Sequence, residues 1–197
     1  MKKKIKILII ICLFTSNLFS QNYELAKVLE KLEDKNIWYD FSYVKIKYPM
    51  GDVPANTGVC TDVIVRAYRL IGIDLQQLVH EDMVNNFNEY PKKWGLTKPD
   101  SNIDHRRVAN LMKFFERNGE VLPITRNIDD YKPGDIVCWD LGHGMLHIGI
   151  VSDIPIRTSN GYKYIHNIGQ GQVFDYTVFT WKIIGHYRYL GNNKESN

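Results

Sequence analysis

Cysteine is scarce here, with three in 197 residues. Cys12 lies in an apolar N-terminal run, which leaves Cys60 and Cys138 for the folded part. Two cysteines can form one bridge, but they are not a disulfide framework. No Cys/His pair has the close spacing of a zinc site, and no metal or other cofactor is expected. An excess of one charge is also missing. Four of the 25 basic residues precede Ile7, and the other 21 nearly balance 22 acidic ones, for a net charge of −1. Such a balance argues against a nucleic-acid partner. Internal repeats, low-complexity tracts and linker-like stretches are absent.

Long hydrophobic runs are lacking too. The apolar stretch Ile7 to Phe14 is too short to span a bilayer. It follows Lys2, Lys3, Lys4 and Lys6 and precedes the small residue Ser20, the pattern of a cleaved export leader over residues 1–20. The expectation is an exported protein, periplasmic or secreted, monomeric and without stable membrane insertion after cleavage. The remaining chain, roughly 175 residues, suits one domain over 21–197.

What is present centres on Gly58-Val59-Cys60-Thr61-Asp62. Val63, Ala67 and Leu70 follow at helical spacing and Gly72 supplies a stop, so Cys60 falls in the first turn of a helix. Unpaired N–H groups and the positive dipole end favour a thiolate there and can hold an oxyanion. Cys60 is therefore a nucleophile candidate if a histidine reaches it; a buried structural cysteine would leave the same local pattern.

Leu25, Val28, Leu29 and Leu32 form the stripe of an amphipathic helix over Glu24 to Lys35. Aromatic residues Trp38 to Tyr43 are extended, and Pro49, Gly51 and Pro54 mark a loop leading to Cys60. A second helix is expected over Asp74 to Glu89. A third is expected to be capped by Ser101 and Asp104, with Val108, Leu111, Met112 and Phe115 as its stripe and Asn118-Gly119 as its end. Asp104-His105-Arg106-Arg107 would then be its first turn. Basic charge is unfavourable there, which points to an anionic ligand or to a solvated face. From Tyr131 the period changes to that of strands: Ile136 to Leu141, Leu146 to Ser152, Tyr162 to Ile168 and Ile184 to Leu190, with a weaker Val173 to Trp181. Helices followed by strands predict an α+β fold with an antiparallel sheet of about four to six strands.

His147 and His166 lie on adjacent predicted strands. If His147 takes the Cys60 proton, a second polar group must orient its other ring nitrogen. His166 or Asn167 can do so, but their side chains point to opposite faces. The orienting one is expected to face the Cys60 side. His80, His105, His143 and His186 read as structural or substrate-facing, and Cys138 as core.

These residues resemble the NlpC-type superfamily of papain-like cysteine hydrolases. Tyr48-Pro49-Met50-Gly51 is similar to that superfamily's loop whose tyrosine stands beside the nucleophile. Lys132-Pro133-Gly134-Asp135-Ile136-Val137 resembles its first central strand. His147-Ile148-Gly149-Ile150-Val151 and Ile165-His166 resemble the strands bearing the base and the third member. Gly51-Asp52-Val53-Pro54, Gly58 to Asp62, Asn102 to Arg107 and Gly185-His186-Tyr187-Arg188-Tyr189 together look like a bacterial domain-of-unknown-function family placed in that superfamily. The resemblance implies Cys60 as nucleophile, His147 as base and acid, and His166 as orienting residue. Tyr48, Asp62, Asn167, His105, Arg106 and Arg107 are expected to support the site or bind substrate. Val59 and Thr61-Asp62 stand where the superfamily has Asp and Ser-Gly, and a helical insertion over about 74–130 exceeds its core.

The function implied is an exported amidase or endopeptidase acting on cell-wall peptides. Competing readings are a metal-binding module using Cys60, His147 and His166, a non-catalytic wall-binding protein of the same fold, and an acyltransferase or thioesterase acting on lipid or protein.

Overall fold

The computed structural model describes residues 22–191. The expected leader and its cleavage point lie outside them. Helix α1 covers residues 22–28 and tightens into a 3-10 turn, Leu29–Leu32. Strands β1 (Trp38–Tyr39) and β2 (Thr57–Gly58) pair in parallel and lead into helix α2 (Cys60–Leu70). Helices α3 (Leu75–Asn86) and α4 (Val108–Asn118) follow. The remainder is sheet: β3 (Glu120–Val121), β4 (Ile136–Asp140), β5 (Leu146–Pro155), β6 (Tyr162–His166), β7 (Val173–Asp175) and β8 (Lys182–Arg188). These six strands run antiparallel in the order β3-β8-β4-β5-β6-β7, so the protein is α+β.

The two sheet faces differ in chemistry. Strand residues alternate between faces, and Ile136, Cys138, Ile148, Ile150 and Ile165 pack against Val63, Ile64, Val79, Met83, Leu111 and Phe115 of α2, α3 and α4. Val137, Trp139, Val151 and Tyr164 face the other way and pack with Tyr131 and Val178. The helical segment over 74–130 thus contributes Leu75, Leu111 and Phe115, all fully buried, to the same core as α2.

The third helix begins later than its sequence suggests. Asp104–Arg106 is a separate 3-10 turn, and Arg107 is the N-cap of α4. The Asp104 carboxylate caps the preceding loop at the Asp100 N–H (2.8 Å) and contacts His80 Nδ1 (2.9 Å). Of the weak segment Val173 to Trp181, the strand is confined to β7.

Candidate active site

Helix α2 starts at Cys60 without a capping hydroxyl. Val59 is its N-cap, and Asp62 bonds back to the Val59 N–H at 2.7 Å. The Asp62 carboxylate is held in turn by Arg106, through Nε at 2.9 Å and Nη2 at 3.1 Å. Arg106 also donates to the carbonyls of Asp40 and Ser42, both at 3.0 Å. One buried guanidinium therefore ties the start of α2 to the chain that follows β1.

β1 carries Tyr39, whose hydroxyl lies close enough to the Cys60 thiol to affect its charge. Tyr48, the tyrosine expected beside the nucleophile, lies elsewhere. It is partly exposed, with its ring edge-on to His80 at 5.2 Å and its hydroxyl 3.5 Å from Glu81. In sequence, Trp38 to Tyr43 is aromatic and extended, with no local sign of a role for Tyr39. Only the β1–β2 pairing, between Tyr39 and Gly58, brings it to Cys60.

The backbone N–H groups of Ile148 and Thr61 lie near the Cys60 sulfur and favour negative charge on it. Strand N–H groups lie in the sheet plane and alternate between its neighbours. The Val151 N–H bonds Asp135 O at 2.9 Å on the β4 side, so the Ile148 N–H points to the β6 side. The β5–β6 ladder begins at Ile150 opposite Ile165. Cys60 packs with Ile148, Ile150 and Ile165 on the α2 side of the sheet, beside the place where β5 and β6 part. Gly149 lets β6 and the Trp139 ring come close to β5: a Cβ there would stand 2.8 Å from Ile165 O and 3.2 Å from the Trp139 ring.

His147 and His166 meet directly, Nε2 to Nδ1, at 2.8 Å. Both are buried, among Trp139, Tyr164 and Trp181. They therefore lie on the face away from α2, contrary to the expected orientation. Asn167 is the residue that points to the α2 side, donating to Gly58 O at 3.2 Å and accepting from the Gly169 N–H at 2.9 Å. No side-chain hydrogen bond joins Cys60 to His147 among the described residues. They adjoin through the chain, because the amide facing the sulfur is the one that follows His147. His166 engages Nε2 of His147, and Nδ1 is its other ring nitrogen.

Burial dominates the electrostatics. It pushes the Cys60 thiol up to about 12, against the opposing pull of the Ile148 and Thr61 amides and the Tyr39 hydroxyl. Burial, then the neighbouring His166, pushes His147 down to about 3. Burial also lowers His166, and the Asp175 charge opposes it. Burial thus favours the thiol form of Cys60 and the neutral form of His147, and at Cys60 it opposes the thiolate that a helix start favours.

The chain matches a family model described as "Domain of unknown function (DUF1287)" over residues 27–189. It belongs to this family. A relative from Escherichia coli (strain K12), the uncharacterized protein YijF, is 52% identical over 154 residues, covering 78% of this chain and 75% of that one. Two solved structures, NlpC2 and NlpC1 from Trichomonas vaginalis, are each 12% identical with TM-scores of 0.45; they match 86% and 85% of this chain. The chain spans less than half of either, 47% and 44%.

In this DUF1287 member the basic turn before α4 is divided in role. Arg106 is buried and committed to Asp62, Asp40 and Ser42, so it is not the carboxylate ligand expected. His105 is also buried, with Nδ1 unpartnered and its pKa pushed down to about 3 by burial and by Arg69. Arg107 lies over the Trp94 ring at 4.6 Å and keeps an unpartnered Nη1. His186 bonds Asp135 Oδ2 at 3.1 Å, and Asp135 also takes Arg188, which makes this pair part of the scaffold. Cys138 is fully buried in the core, and both cysteines are free thiols. Among the described residues, no cluster of three His, Cys, Asp or Glu side chains is arranged to hold a metal ion.

Proposed function

We propose that the protein is an exported cysteine hydrolase that cleaves amide bonds of cell-wall peptides with Cys60, His147 and His166. The observation that carries this reading is the convergence at the β5 edge. A helix-start thiol meets the amide next to His147, and His147 leans on His166 at 2.8 Å. The cell-wall substrate and export rest on the family resemblance and on the basic-apolar run before Ser20.

The neutral resting pair sets the order of events. As substrate displaces water, the Cys60 sulfur attacks the amide carbonyl while its proton passes to His147 Nδ1. His166 Nδ1 accepts from Nε2–H of the imidazolium that forms, which orients the ring and spreads its charge. The Thr61 amide at the positive end of α2 stabilises the oxyanion. His147 then protonates the leaving amine, and the C–N bond breaks to give a thioester. Water, deprotonated by His147, attacks the thioester and returns the thiol. Tyr39 donates to sulfur as negative charge develops there.

Mass spectrometry of purified wall digested with wild type and with Cys60→Ala tests this. New peptide termini are expected from the wild type alone. Identical digests from both would end the hydrolase reading.

A further inference from the structure

The contact between His147 Nε2 and His166 Nδ1 needs one donor and one acceptor. With both rings neutral, two arrangements satisfy it. In one, each ring carries its proton on Nε2, and His147 Nδ1 is a bare base. In the other, each carries it on Nδ1, and His147 presents an N–H that cannot accept a proton. Only the first is competent for the chemistry proposed above. The 2.8 Å contact alone does not favour either.

A third group breaks the tie. Asp175 lies on β7, where Val173 is paired with His166 and Asp175 with Tyr164. Its Oδ2 is 3.9 Å from His166 Nε2 and 3.5 Å from the Tyr164 hydroxyl, and its Oδ1 accepts from the Tyr176 N–H at 2.7 Å. From the surrounding elements His166 meets His147 of β5, Tyr164 of β6, Trp181 before β8 and Asp175. Asp175 is the charged member of that group. At 3.9 Å the carboxylate is beyond hydrogen-bond length, but its field favours a proton on His166 Nε2 and opposes a lone pair there.

We propose that Asp175 is a positioning residue which, through His166, holds His147 in the tautomer with a bare Nδ1. The sequence showed no such role, because Asp175 lies on a three-residue strand with no motif around it. The inference rests on the hydrolase reading for its catalytic meaning, but not for its test.

The test is 15N NMR of the full reduced chain labelled at histidine, near pH 7.5, for wild type, Asp175→Asn and Asp175→Glu. Wild type is expected to carry Nε2–H on both rings. Asp175→Asn is expected to shift both toward Nδ1–H, and Asp175→Glu to restore the wild-type pattern. If wall hydrolysis is found, kcat should fall about tenfold in Asp175→Asn with KM unchanged, less than for a group bonded directly to the base. Nδ1–H tautomers in wild type overturn the proposal even if Asp175→Asn fails to fold. Unchanged tautomers in a folded Asp175→Asn overturn it as well. Absence of wall hydrolysis in wild type sinks the hydrolase reading and leaves the tautomer result standing.

Discussion

Two buried polar clusters flank Cys60, and they are built on opposite principles. The Asp62–Arg106 cluster is fully charged and saturated: two guanidinium contacts to one carboxylate, two more to backbone carbonyls, and a further carboxylate contact to the Val59 N–H. The His147–His166 pair is neutral and joined by one bond, with the second nitrogen of His147 left for other work. A buried ion pair is stable only when every partner is satisfied, which leaves the first cluster no capacity for a ligand. A buried neutral imidazole keeps its capacity to accept a proton. The first cluster holds the site, and the second is where proton transfer can occur.

The sharpest way to break this comparison is to delete chemistry without touching the scaffold. Cys60→Ala and His147→Ala should each lower wall-peptide turnover by about a thousandfold or more, with melting close to that of wild type. His166→Ala should cost less turnover than either, and Asn167→Ala less again per folded molecule. Asn167 ties Gly58 and Gly169 rather than the imidazole. A larger catalytic loss in Asn167→Ala at equal stability would move the orienting role to Asn167.

Deleting scaffold should do the reverse. Arg106→Ala strands the Asp62 carboxylate, which is nearly without solvent contact. Breaking a buried pair in this way costs about 3–5 kcal/mol. Arg107→Ala, which removes a half-buried side chain over Trp94, should cost no more than about 1 kcal/mol. Urea denaturation of both variants checks this. Equal, small losses would mean that Arg106 is not the clamp described.

These contrasts mark how far local sequence could be read. The start of α2 was legible because helical spacing and Gly72 frame it, and β4, β5, β6 and β8 because apolar period marks each. The pair His147–His166 followed from adjacency of their strands. Partners far apart along the chain were not legible. Arg106 reads locally as an anion ligand in a helix's first turn, whereas Asp62 lies 44 residues away and leaves no local sign. Tyr39 is positioned by a two-residue parallel pairing that no periodicity can announce. The face of His166 was not legible, because Trp139 and Trp181, distant along the chain, enclose the histidine pair on the side away from α2.

Acid should separate the clusters next. His147 and His105 are each lowered from 6.5 to about 3 in the fold. Unfolded histidines bind protons below 6.5 while the folded ones stay neutral, so the unfolded state binds more protons between about pH 6.5 and 3. Stability therefore rises with pH across that window and levels off above it. Each histidine contributes a slope of about 1.4 kcal/mol per pH unit, or about 2 kcal/mol lost at pH 5. Urea denaturation at pH 7.5 and 5 measures the combined dependence, to which His166, also lowered by burial, adds, and His105→Gln should remove its share of about 2 kcal/mol. An unchanged slope in that variant would show that His105 is protonated in the folded protein.

The smallest expected effect concerns Tyr39, which belongs to neither cluster but joins them. Its chain is pinned by Arg106, and its hydroxyl meets the Cys60 thiol. Tyr39→Phe keeps the ring and hence the access to sulfur, and removes one donor to the thiolate. A single hydrogen bond of this kind is worth about 1 kcal/mol, or roughly a fivefold change in thiolate population. Iodoacetamide labelling of Cys60 should already be slow in wild type at pH 7, because burial holds the thiol near 12. Labelling should accelerate with pH and slow about fivefold further in Tyr39→Phe. Cys138 labelling should not respond to the substitution. Faster labelling of Cys60 in Tyr39→Phe would mean that the hydroxyl shields the thiol rather than supporting its charge. Arg106 would then position a cover over the nucleophile, and the two clusters would differ in access as well as in charge.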